Sequence, residues 1–117
     1  MSSTVITIYH NPRCSKSRNT LALLHQHGIK PVVVEYLKNP PNKAQLKDIL
    51  EKLGVKPEQI VRKGEETFKQ HFAGRTLNEE QWLEALAKYP ILIERPIVVK
   101  GGRAVVGRPP ENVLELI

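Results

Sequence analysis

The sequence predicts an α/β fold: a mixed four-stranded sheet carrying helices, in the order β-α-β, a helical insertion, then β-β-α. Three observations lead there. Alternating β-branched residues stand near both ends of the chain, while helical periodicity fills its middle. A Gly101-Gly102 pair separates two apolar runs close to the C-terminus. The chain of 117 residues, 40% of them hydrophobic, has enough apolar material for one cored domain, read here as residues 1–117, and leaves little room for a second.

The elements follow in order. Thr4 to Tyr9 (TVITIY) alternates and is rich in β-branched residues, the mark of a strand. From Ser15 to His27 the period becomes helical, with Leu21 and Leu24 on one face and Gly28 as the stop. Val32 to Tyr36 is a short apolar strand, so the first three elements make a right-handed unit with parallel strands. After Asn39-Pro40-Pro41, Asn42 caps a helix carrying Leu46, Ile49, Leu50 and Leu53, and Gly54 ends it. Pro57 opens a short helix through Val61, and Glu65 to Phe72 is a further one. Asn78 with Gln81 forms a capping box before a helix bearing Trp82, Leu83, Leu86 and Tyr89, with Leu77 and Trp82 as its hydrophobic staple and Pro90 at its end. Ile97 to Lys100 and Arg103 to Val106 form a hairpin, and Pro109-Pro110 introduce a closing helix through Val113, Leu114 and Ile117. This order is the thioredoxin-like one with a helical insertion in its middle.

Composition narrows the function. No stretch approaches the roughly 18 apolar residues of a membrane span, and no basic-then-apolar leader opens the sequence, so a soluble cytoplasmic protein is expected. Lys and Arg outnumber Asp and Glu by 18 to 12, which suits an anionic partner as well as plain solubility. Aromatic residues at 5% argue against a base-stacking surface, and no basic arm is present, so no nucleic acid is expected. No motif calls for a metal, nucleotide or flavin. His25, His27 and His71 lack metal-ligand spacing and read as surface residues.

The single cysteine, Cys14, is the sharpest constraint: no disulfide can form within the chain. It stands where the first strand hands over to the first helix, at the carboxyl end of a strand, where open α/β sheets gather ligands. Unpaired amides and the positive end of the helix dipole favour a thiolate over a thiol, and the same amides can cradle an oxyanion. His10, Arg13, Lys16 and Arg18 lie within four residues of it and reinforce both effects. The phosphatase spacing C-x5-R is absent, because Thr20 is the sixth residue after Cys14. Residue 17 is serine, so no second thiol stands two residues beyond the intervening pair's start, and any redox turnover must draw its other thiol from outside.

The blocks His10-Asn11-Pro12-x-Cys14-x-x-Ser17-Arg18-Asn19-Thr20, Arg62-Lys63, and Pro90-Ile91-Leu92-Ile93-x-Arg95-Pro96-Ile97-Val98-Val99, with the closing Gly107-Arg108-Pro109, resemble the glutaredoxin-linked arsenate reductases of the thioredoxin-like superfamily. The resemblance implies that the cysteine matching Cys14 attacks arsenate and forms a covalent thiol–arsenic adduct. Glutathione and glutaredoxin, as external reductants, then release arsenite. It implies that Arg62, Arg95 and Arg108 hold the oxyanion, that His10 favours the cysteine anion, and that the Arg95–Pro96 bond is cis. Planar guanidinium forks suit a tetrahedral oxyanion.

Blander readings stand beside these. Arg62, beside Lys63 at the end of a short helix, can simply face water, Arg13, Lys16 and Arg18 act as general electrostatics, and Trp82 is a staple or core residue. Residues 13, 15 and 16 depart from the small ones of the best-studied subgroup, which leaves the oxyanion itself open. Two other functions fit the same superfamily: a redox-responsive regulator that grips RNA polymerase, and a thiol-transfer enzyme acting on another oxyanion.

Overall fold

The computed structural model describes residues 5–117. Thr4, at the start of the expected first strand, lies outside the described residues, as do Met1, Ser2 and Ser3. Four strands form one mixed sheet: β1 (Ile6–His10), β2 (Val32–Glu35), β3 (Ile97–Lys100) and β4 (Arg103–Val106), in the spatial order β2-β1-β3-β4. β1 runs parallel to β2, with Thr7 opposite Val32 and His10 opposite Glu35. It runs antiparallel to β3, with Ile6 opposite Lys100, and β3 pairs antiparallel with β4. Gly101 takes a φ of +60° in the β3–β4 turn, which glycine adopts without the Cβ clash that other residues meet.

The chain divides into two compact units, one made of the chain through Asn39 together with Arg95–Ile117, the other of Pro40–Glu94. The first holds the sheet, the helix α1 (Ser15–Gln26) and a 3₁₀ helix, Pro110–Glu115. Its core is Ile6 and Ile8 of β1, Leu24 of α1, Val98 of β3, and Val113 and Leu116 from the closing segment. Alternation along β1 puts Ile6, Ile8 and His10 on the buried face, so the strand period that builds the core also buries His10. At the sheet's edge, Val32 and Val33 of β2 remain exposed.

The second unit contains α2 (Lys43–Leu53), α3 (Glu66–His71) and α4 (Glu79–Lys88). Asn42 with Gln45, and Asn78 with Gln81, form complete capping boxes, and Gly54 closes α2 at a φ of +72°. Phe68, Phe72, Trp82 and Tyr89 gather into an aromatic cluster in which Phe68 stacks on Trp82 at 6.2 Å. The expected helix through Val61 is a 3₁₀ turn, Pro57–Ile60. Val61 turns extended instead and bridges Ile93. The Arg62 amide donates to the Leu92 carbonyl and the Glu94 amide to that of Ile60, each at 2.8 Å. Pro90 ends α4, as expected, and also opens a 3₁₀ turn over Pro90–Leu92 that the residue pattern does not announce. The closing helix is of the tighter 3₁₀ kind, consistent with its short, proline-led start. Among the described residues, no helix is long and apolar enough to cross a membrane.

Candidate active site

Cys14 is the N-cap of α1, with extended backbone at φ −97° and ψ 124°, and 9% of its surface is exposed. Its carbonyl accepts the Arg18 amide at 3.0 Å, the first intrahelical bond, while its own amide donates back to the Asn11 carbonyl at 3.0 Å. The loop that carries it is tied at several points. Asn11 Oδ1 accepts the Arg13 amide at 3.0 Å, and the Arg18 guanidinium donates to the Pro12 carbonyl at 2.9 Å. Ser17 is wholly buried in the first turn of α1; its Oγ accepts the Asn11 amide at 3.0 Å and lies 2.6 Å from His10 Nδ1. The serine that occupies a second cysteine's place therefore braces the loop rather than doing redox chemistry. Sequence pattern alone does not assign Ser17 or Asn11 this role.

The other wall comes from the far end of the chain. Arg108, which follows Gly107 after β4, brings Nη1 to 4.0 Å from Cys14 Sγ. Gly107 is held from two sides: its amide donates to the Pro96 carbonyl at 2.8 Å, and its carbonyl accepts from Thr20 Oγ1 at 3.1 Å. Thr20 Oγ1 is also 2.8 Å from the Lys16 carbonyl and shares its one hydrogen between the two. Thr20 of α1, Pro96 before β3 and Gly107 after β4 thus meet at one point. No side chain fits on Gly107, where an ideal Cβ would lie 2.7 Å from Thr20 Oγ1 and 3.0 Å from Pro96 Cγ.

The Arg95–Pro96 bond is cis, as the resemblance implies, and so is Arg108–Pro109, for which the sequence offers no signal. Arg95 leads into β3 with its Nε and Nη1 buried. Arg62 belongs to the second unit, where its guanidinium pairs with Glu65 and lies 3.8 Å from Glu94. Of the candidates, then, Arg108 meets Cys14 directly, and His10 reaches the cysteine loop through Ser17. Arg62 stands among carboxylates rather than facing bulk water.

Burial lowers the ionisation of His10 below the usual imidazole value of 6.5. Glu35, across the parallel pair, opposes that shift and Arg18 adds to it. A neutral ring suits a hydrogen bond to Ser17 better than a cation would. Positive charge near the sulfur comes instead from Arg108 and the start of α1. Size does not locate this site: two clefts of about 580 Å³ and 380 Å³ lie wholly within the second unit and hold none of these residues. Among the described residues, no group of three or more His, Cys, Asp or Glu is gathered as a metal site.

A cysteine capping the first helix after β1, with a cis-proline leading into β3 of a mixed β2-β1-β3-β4 sheet, defines a thioredoxin-like protein. The chain belongs to the ArsC family, whose pattern matches residues 9–116. It is 47% identical over 114 residues to the uncharacterised protein YfgD of Escherichia coli K12, covering 96% of both chains. It is 42% identical to an arsenate reductase of Haemophilus influenzae, covering 96% of this chain and 98% of that one. The solved arsenate reductase from Vibrio cholerae superposes with a TM-score of 0.94 at 45% identity, over 99% of this chain and all of the other.

Proposed function

We propose that the protein is an arsenate reductase that forms a covalent Cys14–arsenic intermediate and takes its electrons from glutathione and glutaredoxin. The observation that carries this reading is the 4.0 Å approach of the Arg108 guanidinium to the sulfur of a helix-capping cysteine. The sulfur anion bonds to arsenic as one arsenate oxygen, once protonated, departs as water. Arg108 and the amides at the start of α1 stabilise negative charge on the remaining oxygens. Arg95, of the same unit, is a second guanidinium assigned to the oxyanion.

The chain has one cysteine, so both electrons that take arsenic from the +5 to the +3 state come from two external thiols. The glutathione thiol displaces a second arsenic-bound oxygen as water, and the glutaredoxin thiolate then attacks the glutathione sulfur, leaving the sulfur–arsenic bonding pair on arsenic. The two external sulfurs end as one mixed disulfide, water replaces the Cys14 sulfur on the As(III) centre, arsenite leaves, and Cys14 returns as a thiolate. His10 acts through Ser17, holding the loop so that the sulfur faces the oxyanion. Relatives named arsenate reductase also support the reading.

The test is arsenate-dependent NADPH oxidation in the presence of glutathione, glutaredoxin and glutathione reductase. Wild type should turn over, and Cys14→Ser should stay at background. Equal background traces from both proteins would remove the reading.

A further inference from the structure

A cleft of about 260 Å³ opens beside the cysteine loop, within the unit that holds Cys14. Its walls include Pro12 and Arg13, the two residues before the nucleophile, and Glu35, Leu37 and Lys38 from the end of β2 onward, together with His10. Two cations and one carboxylate face this space, with an apolar patch where Leu37 is 39% exposed. Lys38 Nζ and Glu35 lie 3.5 Å apart in an ion pair exposed enough to exchange for other partners.

The cleft is mismatched to arsenate itself. It is several times larger than a tetrahedral oxyanion, and the Glu35 carboxylate on its wall repels a purely anionic occupant. It matches a zwitterion with more carboxylates than ammonium groups. We propose that this cleft binds the small peptide thiol that attacks the Cys14 adduct. Arg13 and Lys38 take its carboxylates, Glu35 its ammonium, and Leu37 its methylene chain. This rests on the proposed reductase reaction and names where its first external thiol docks.

Reach supports the assignment. A tripeptide spans at most about 10 Å when extended, so a thiol on its middle residue lies about 5 Å from either end. The cleft falls a little below the roughly 300 Å³ at which small-molecule pockets usually begin, so it holds one arm of such a peptide and leaves the thiol-bearing residue outside. Arg13 adjoins Cys14 in the chain, so an arm anchored there leaves the thiol free to swing to the arsenic bonded to Cys14.

The probe is S-methylglutathione, whose capped sulfur cannot react, titrated into the wild-type protein while backbone amide resonances are followed by NMR. Shifts should concentrate at Arg13 and at residues 35–38. Arg13→Glu and Lys38→Glu should each weaken binding about tenfold, the worth of one charge-assisted hydrogen bond. In the coupled assay the same variants should raise the KM for glutathione by a similar factor, with less effect on the KM for arsenate. Shifts elsewhere, no saturable shifts in wild type, or equal binding by wild type and both variants would overturn the cleft assignment. If wild type lacks arsenate-dependent turnover while the cleft still binds the probe, the reductase reading fails and the peptide site stands. If wild type turns over while the shifts fall elsewhere, the reductase reading stands and the peptide site fails.

Discussion

Replacing Gly107 with alanine tests how tightly the site is built. The position shows no left-handed φ, so the obstacle is space rather than backbone conformation. The new Cβ would meet Thr20 Oγ1 at 2.7 Å, Thr20 Cγ2 at 2.9 Å and Pro96 Cγ at 3.0 Å. Thr20 is β-branched and fully buried, with few rotamers to retreat into, and Pro96 is buried as well. The backbone cannot slide aside without stretching the bond from the Gly107 amide to Pro96 or the one from Thr20 to the Gly107 carbonyl. Overpacking costs about 1–3 kcal/mol, and a lost hydrogen bond about 1 kcal/mol more. The stiffer unfolded chain returns about half a kcal/mol. A net loss of about 2–3 kcal/mol lowers Tm by about 10 °C in a chain of this length. Differential scanning calorimetry on wild type, Gly107→Ala, Thr20→Ala and the double variant reads it directly. The double variant should lose less than the sum of the singles, because removing the threonine's outer atoms makes room. Because Arg108 follows directly, Gly107→Ala should also weaken arsenate binding. A Gly107→Ala protein melting within about 2 °C of wild type, with additive singles, would refute the packing argument.

Ser17→Ala leaves the buried Asn11 amide and His10 Nδ1 without their shared partner, which should cost about 1–3 kcal/mol by urea unfolding. Arg108→Lys keeps the charge but loses the planar fork, and kcat/KM for arsenate should fall on the order of a hundredfold while Tm barely moves. His10 gives a pH signature. Its folded-state ionisation is depressed below 6.5, so below that pH the unfolded chain binds the proton more readily. The associated stability is present above pH 6.5 and is lost as pH falls through the lower folded-state value. Urea midpoints taken across roughly pH 5 to 8 should show this loss, and His10→Gln should flatten that part of the profile.

Much of this arrangement is legible in the residues because it is local. Asn42 and Asn78 cap through glutamines three residues on, Gly101 turns the hairpin, and Cys14 stands at a helix start because a β-branched run ends just before it. What stays hidden is polar and long-range. Ser17 and Thr20 share the buried face of α1 with Leu24 at helical spacing, yet a periodicity traced through apolar residues passes over both. Arg18 reads in the sequence as general electrostatics, whereas its guanidinium closes the loop on the Pro12 carbonyl. Arg62 reads as an oxyanion ligand or a solvated cation, and its ion pair with Glu65, three residues on, goes unread. The convergence of Thr20, Pro96 and Gly107 spans most of the chain, and no periodicity reports a contact between residues 20 and 107.

The span between Cys14 and Arg108 also has a consequence for biosynthesis. A ribosome makes Cys14 94 residues before its guanidinium companion Arg108, and β3, which lies beside β1 in the finished sheet, arrives only after the whole insertion. Until then β1 exposes one unpaired edge, and the sulfur sits on a nascent chain with no counter-charge from the C-terminal segment. The Cys14–Arg108 approach is therefore assembled late. A message truncated before codon 97 leaves β1 open along one edge, and one truncated between codons 100 and 108 pairs that edge but lacks the Arg108 guanidinium.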